Sequence, residues 1–322
     1  MAGTLIGKTI AVTGAAGFLG GRMIARLVGE ECKVIRVARS TPPQVDRSTA
    51  EVIDVIGDVG ERSLWDRIVE ADVIFHFAAQ TSVAAAEMDP DADYHSNVAP
   101  IAHLSAACRA RGRQPIVVFA GTVTEAGTPA RLPVGEDVPD IPITVYDFHK
   151  LQAEMELKRA AADGALRGAT LRLANVYGPG AHGRTADRDV LNRMIAAALL
   201  GRPLTIYGTG GYMRDYVFVE DVVDAFIAAS QHMERVNGHH FVIGSGRGIS
   251  IRGAFELIAE RVERLAGRQV AIETAEPPAP LSAIEQRHFV ADHSKFSGLT
   301  GWQPRWLLAD GIDRTIEALT CA

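Results

Sequence analysis

A chain of 322 residues, 47% of them hydrophobic, buries a core that needs no disulfide or metal staple, and it is long enough for one large unit or two closely associated domains. Its formal net charge of −6 provides no basic surface to follow a phosphate backbone, which argues against nucleic acid as a partner. Cys32, Cys108 and Cys321 are odd in number, widely spaced and in no metal-ligand pattern, and no segment reads as a secretion signal or a bilayer span. The expectation is a cytoplasmic protein without a metal site and without a membrane partner.

From the start, short β-branched runs alternate with helical patterns: KTIAVTG, a helix over about 17–29, KVIRVAR, AEVIDVIGD, DVIFHFA at 72–78, PIVVFAG at 115–121 and ATLRLANVYG at 169–178. Such alternation predicts an α/β fold, a doubly wound, Rossmann-type parallel sheet with helices on both faces. After Tyr177 the texture changes to the Gly/Pro-rich turn YGPGAHGR, an apolar helix around 190–200, the strands PLTIYG and RDYVFV, a helix from Asp221, FVIGSG at 241–246, and EPPAP at 276–280. This predicts residues 1–177 as a dinucleotide-binding domain to which strands near 214–243 return. Residues 178–213 and 244–322 then form a smaller α/β substrate-binding lobe.

Directly after the first strand comes TGAAGFLG, with Gly14, Gly17 and Gly20 three apart at the entry to a helix. The first glycine permits a tight turn, the second lets backbone amides approach a pyrophosphate, and the third allows close packing of helix on strand. The spacing alone is weak evidence; its place between strand and helix makes it a dinucleotide signal, with Gly14, Gly17, Phe18 and Leu19 facing the cofactor. At the end of the second strand, the slot for a carboxylate that would bond the adenosine ribose holds Ala38, followed by Arg39. An arginine without an acid favours a 2′-phosphate, so NADP is expected, with NAD the alternative if Arg36 or Arg39 is only a solvated surface charge. Asp58, followed by Val59, is placed either to bond the adenine amino group or to cap the next helix.

At 146–150 the chain reads YDFHK, and Thr144, three residues before Asp147, reads as a helix N-cap with a reciprocal partner. Tyr146 and Lys150, four apart, then share one helix face. An ammonium beside a phenol, with the helix N-terminus and a positive nicotinamide ring, is expected to lower the phenol pKa from about 10 towards neutrality, making Tyr146 a usable general base. A tyrosine and a lysine at this spacing usually mean nothing; what lifts the pair is the strand ending FAGT upstream, whose Thr122 is placed to bond the same reacting oxygen.

Together these residues resemble the extended short-chain dehydrogenase/reductase family, in its group of nucleotide-sugar epimerases, dehydratases and reductases. The likeness spans nearly the whole chain: TGAAGFLG, FHFAAQTSV at 75–83, Asn97, YDFHK, RLANVYGPG at 172–180, YGTGGYMRDYVFVEDVVDA at 207–225, GSG at 244–246 and VADHSKF…GWQP near the end. The resemblance implies Thr122, Tyr146 and Lys150 as catalytic residues, and Phe77, Ala78, Ala79 and Asn97 as cofactor contacts. It implies Asn175 and Arg214 at the substrate's phosphates, Thr205 and Tyr207 in the segment along the nucleotide base, and Ser82 and Leu191 as further substrate contacts. On the residues alone, Asn175 also reads as a turn-capping side chain and Arg214 as a surface partner of Asp215.

The chain departs from the family pattern in four places. Family dehydratases carry an acid directly after the catalytic threonine, whereas Val123 and Thr124 follow Thr122 and Glu125 is one position off, within reach only if the loop is shifted. Ala126 replaces the usual tyrosine, which opens space for a bulkier sugar substituent. His149 replaces a small serine, either as a supporting group or as a surface residue. Ser282 falls where an arginine usually contacts the pyrophosphate, leaving Arg287 as the substitute.

The leading expectation is a nucleoside-diphosphate-sugar epimerase acting at the sugar 4-position by transient oxidation. The alternative is an NADPH-dependent 4-ketoreductase; a 4,6-dehydratase, a non-catalytic dinucleotide-binding regulator and a reductase of small carbonyls rank lower. The resemblance also implies a homodimer through the helices near 91–112 and 147–163.

Overall fold

The computed structural model describes residues 5–45, 48–180, 190–277 and 282–321. The later part of the YGPGAHGR turn and the end of EPPAP lie outside the described residues.

The first six strands are β1 (Thr9–Thr13), β2 (Lys33–Ala38), β3 (Glu51–Ile56), β4 (Val73–His76), β5 (Ile116–Thr122) and β6 (Arg167–Leu173). After them come β7 (Asn175–Tyr177), β8 (Leu204–Tyr207), β9 (Met213–Phe218), β10 (His240–Ile243), β11 (Gly248–Ser250) and β12 (Ile272–Ala275). The large sheet has seven strands in the order β10-β6-β5-β4-β1-β2-β3, every neighbouring pair parallel. The order reverses at β1 and β4, so a crevice opens there at the C-terminal ends of the strands.

Alternation along each strand sends side chains to two separate cores. Ile10, Val12, Phe75 and Val118 pack on one face with α1 (Phe18–Leu27), whereas Ala11, Ile74, Val117 and Phe119 pack on the other with Trp65 of α2 (Arg62–Ile68). The chain then forms α3 (Val83–Met88), α4 (Pro90–Asn97), α5 (Ala99–Arg111) and α6 (Val145–Ala162), where α5 and α6 add Leu104 and Leu157 to the second core. Following α7 (Val190–Leu199), α8 (Val219–Gln231) supplies Val222 and Phe226 to the first.

Of the strands expected to return near 214–243, β10 joins the large sheet beside β6, but β9 does not; it pairs with β7 and β11 in a three-stranded sheet. β8 and β12 form a two-stranded parallel ribbon. A third core lies under them, where Leu191 and Ile195 of α7 meet Leu204, Ile206, Phe255 and Ile312. Among the described residues no helix is long and apolar enough to cross a membrane.

Candidate active site

A cleft of about 790 Å³ lies at the strand-order reversal, between the loops after β1, β2, β4 and β5 and the first turns of α6. Gly14 opens it in the left-handed region, with φ +68°, and a Cβ there would stand 2.9 Å from the backbone nitrogen of Ala78. That close approach is held by Thr13, whose Oγ1 accepts from the amides of Phe77 and Ala78 at 3.1 Å each. Gly20 is closer still: its Cβ would fall 2.2 Å from the Gly14 carbonyl oxygen, so helix and loop pack only with glycine there. Helix α1 starts after Gly17 with no side-chain cap and no acid in its first turn, leaving its N-terminal end open to an anion. The cradle therefore fits a dinucleotide.

Gly14, Gly17, Phe18, Leu19, Arg39, Asp58, Val59, Phe77, Ala78 and Ala79 all line this cleft. Arg36 does not, because its guanidinium makes a two-pronged contact with Asp54 at 2.7 and 2.8 Å, whereas Arg39 is exposed at the rim. Asp58 accepts from the Gly60 amide at 2.8 Å, and α2 starts after Glu61, so Asp58 shapes the turn instead of capping the helix.

The capping box forms as the spacing predicts: Thr144 and Asp147 exchange backbone-to-side-chain hydrogen bonds of 3.2 Å in each direction. It fixes the start of α6 and places Tyr146 in the first turn. The half-buried Tyr146 is hydrogen-bonded to Thr122, whose Oγ1 lies 2.9 Å from Thr124 Oγ1. Lys150 is 2% exposed; its Nζ donates to the Ala120 carbonyl at 2.6 Å and stands 4.0 Å from the centre of the Phe119 ring. Thr122, Tyr146 and Lys150 all face the cleft.

The electrostatics differ from the sequence expectation. Burial, followed by Glu125, Asp147 and Asp93, pushes the Tyr146 phenol above its ordinary value, and only the Thr122 hydrogen bond opposes this. Burial brings Lys150 itself down to about 8, while its Nζ donates to the Ala120 carbonyl. The chain's own groups thus hold the phenol protonated.

Glu125 does not reach the cleft. One carboxylate oxygen accepts from the Thr122 amide at 3.0 Å and the other lies 3.0 Å from Arg172 Nε, with the side chain fully buried. Burial and the neighbouring Glu154 raise it to about 8. Ala126, expected to widen the sugar pocket, is buried in the first core.

On the substrate side Asn175 lines the cleft from the start of β7, its Oδ1 buried without a hydrogen-bond partner. Arg214 is buried and donates to the carbonyls of Met213, at 3.0 Å, and Arg287. It does not pair with Asp215, whose carboxylate accepts from Ser245, Gly246 and Ala291. Arg287 donates to the Ile284 carbonyl at 2.6 Å, and its buried Nε has no partner. Burial and then the adjacent Arg214 push it down to about 10. Neither arginine lines the cleft, but two adjacent guanidiniums with an unpaired buried N–H favour an anion beside them.

Besides Arg214 and Arg287, five expected contacts do not line the cleft. Leu191 is fully buried in the third core, since α7 turns that face inward. Thr205 and Tyr207 alternate with the core residues Leu204 and Ile206 on β8 and do not line the cleft. Ser82 is exposed and caps α3 through the Ala85 amide. Asn97 spends its amide nitrogen on the Gln80 carbonyl and on Asp93, at 3.1 and 3.0 Å.

Residues 10–244 match the NAD dependent epimerase/dehydratase family. The chain belongs to this family. It is 33% identical over 317 residues to a UDP-glucose 4-epimerase of Mycolicibacterium smegmatis, covering 95% of this chain and 96% of that protein. A UDP-glucose 4-epimerase of Azospirillum brasilense is 31% identical over 97% of this chain and 92% of its own. Among solved structures, the UDP-glucose 4-epimerase of Thermotoga maritima with UDP-glucose superimposes with a TM-score of 0.85 at 28% identity, covering 97% of this chain and 99% of that one. The family match contains the glycine loop, Thr122, Tyr146, Lys150, Asn175 and Arg214, whereas Arg287 lies beyond it. Sequence reasoning did not single out the cleft residues Gln80, Thr81 and Ser96. Gln80 and Thr81 do follow FHFAA directly, so that motif carried the signal for them.

Proposed function

We propose that this chain is a nucleoside-diphosphate-sugar epimerase that works at the sugar 4-position by transient oxidation, with NADP as cofactor and NAD as the alternative. The observation that carries this reading is the Thr122–Tyr146 hydrogen bond beside buried Lys150, in the same cleft as the Gly14 cradle. Relatives named as UDP-glucose 4-epimerases make a UDP-hexose the first substrate to test.

A nicotinamide dinucleotide, when bound, supplies the hydride acceptor and donor, and its oxidised ring brings a positive charge that the phenol's surroundings lack. The Gly14–Leu19 turn and the N-terminal end of α1 hold the pyrophosphate, and Arg39 meets a 2′-phosphate. Lys150 bonds the ribose and orients the phenol. Tyr146 takes the proton from the sugar hydroxyl and later returns it, while Thr122 donates to the developing oxyanion. Arg214, Arg287 and Asn175 hold the substrate's phosphates, so the sugar can turn between the two half-reactions without leaving. The engagement of Glu125 with Thr122 and Arg172 leaves no acid for water elimination, which disfavours the dehydratase reading.

The test is to supply UDP-glucose with catalytic cofactor and follow the sugar. Interconversion with its 4-epimer at constant nicotinamide absorbance supports the proposal. Sustained NADPH oxidation with a 4-keto nucleotide sugar would instead establish the ketoreductase, which Arg39 at the cleft rim favours as the second reading. The same reading includes a homodimer, through the helices near 91–112 and 147–163, which carry exposed Tyr94, Phe148 and Met155.

A further inference from the structure

We propose that His149 is a positioning residue: with Asp93 it forms a buried strap that ties the cleft-lining loop after β4 to helix α6, and dinucleotide affinity depends on that strap. The inference rests on the dinucleotide-binding reading of the cleft.

His149 Nδ1 lies 2.7 Å from Asp93 Oδ2, and the two side chains are 11% and 0% exposed. The other oxygen of Asp93 accepts from Gln80 Nε2 at 2.7 Å and from Asn97 Nδ2 at 3.0 Å. Asn97 Nδ2 also donates to the Gln80 carbonyl at 3.1 Å, and Gln80 Nε2 to the Ser82 carbonyl at 2.8 Å. One carboxylate on α4 therefore gathers donors from the loop after β4, from its own helix and from α6. The loop that it gathers, Ala78 to Thr81, forms one wall of the cleft, and the residue after His149 is Lys150.

A carboxylate removed from water is tolerated only while its oxygens are bonded, so losing one donor leaves a buried charge to find another. The nearest route to relief is movement of the loop or of α6 towards water. Either displaces the wall that a dinucleotide must fit, and a site is only as well placed as the groups that support it. The imidazole itself is pinned between the rings of Tyr94 and Phe148, with ring centres 5.7 and 6.1 Å away. It therefore acts as a fixed peg, with Nδ1–H placed to donate to the Asp93 carboxylate.

The experiment measures dinucleotide Kd by fluorescence titration, with Tm alongside, for the unaltered chain and for His149→Leu, His149→Asn and Asp93→Asn. His149→Leu is expected to weaken binding about tenfold, as a lost buried hydrogen bond to a charged group would. His149→Asn places an amide nitrogen near the Nδ1 position and should restore Kd to within about threefold of the original. Asp93→Asn keeps the shape, removes the charge and should weaken binding even if His149→Leu does not fold. A merely structural pair would lower Tm in His149→Leu or Asp93→Asn while leaving Kd unchanged, and that result overturns the proposal. If the unaltered chain binds neither NADP nor NAD, it is the proposed function that fails.

Discussion

Tyr146 has to give up a proton in surroundings that oppose the loss, with burial and three carboxylates on one side and a single threonine hydrogen bond on the other. Replacing it by Phe keeps the ring and removes the acid/base group, so kcat should fall by about 10² to 10⁴ with dinucleotide Kd unchanged, measured by turnover and fluorescence titration. Lys150 makes a second prediction, on stability. Its folded pKa is about 8, against an ordinary 10.5, because burial penalises the ammonium more than the nearby carboxylates favour it. Between those values the unfolded chain binds more protons than the folded one, so stability rises with pH there. Thermal melts at pH 7.5 and 10 should therefore show the unaltered chain gaining on Lys150→Met as pH increases. Arg36 is committed to Asp54, whereas Arg39 is exposed at the cleft rim to meet a 2′-phosphate. Arg39→Ala should raise the Kd for NADPH about tenfold or more and leave that for NADH within about twofold.

The glycine turn shows how far an element can be read from sequence. Its spacing between strand and helix gave the cradle, and the coordinates add the reason: Gly14 holds a positive φ and lies against Ala78. Gly14→Ala should weaken dinucleotide binding at least tenfold and cost about 1–3 kcal/mol, checked by Kd and denaturant melts. The strands of the large sheet and the Thr144–Asp147 box were legible because their signals are local, a short β-branched run in one case and a three-residue spacing in the other. Sequence says less where a local signal has two readings. Leu191 stands in an apolar helix, and nothing in the helix says that this leucine faces Ile206 and Ile312 and not the cleft. RDYVFV reads as an apolar strand like those of the large sheet, yet β9 pairs with β7 and β11. The His149–Asp93 contact joins positions 56 apart, and each residue alone looks like a solvated polar group on a helix. Where the Lys150 ammonium points was not legible either, since that depends on the Ala120 carbonyl and the Phe119 ring of β5.

At the scale of the whole molecule, the helices on the α6 side of the sheet leave an apolar surface uncovered. Met88, Met155 and Phe148 are 86, 61 and 57% exposed, and Tyr94 lies beside His149 on the same side. The proposed two-fold interface would bury each of these twice, at roughly 1.5–3 kcal/mol per fully buried large apolar side chain. Light scattering at micromolar concentration should return a mass near twice that of the 34.5 kDa chain. Phe148→Asp combined with Met155→Asp places four carboxylates in that interface and should give a monomer. Because Phe148 also packs on the His149 ring, the monomer should bind dinucleotide more weakly than the dimer. A single-chain mass for the unaltered protein would remove the interface, and with it this link between assembly and cofactor affinity.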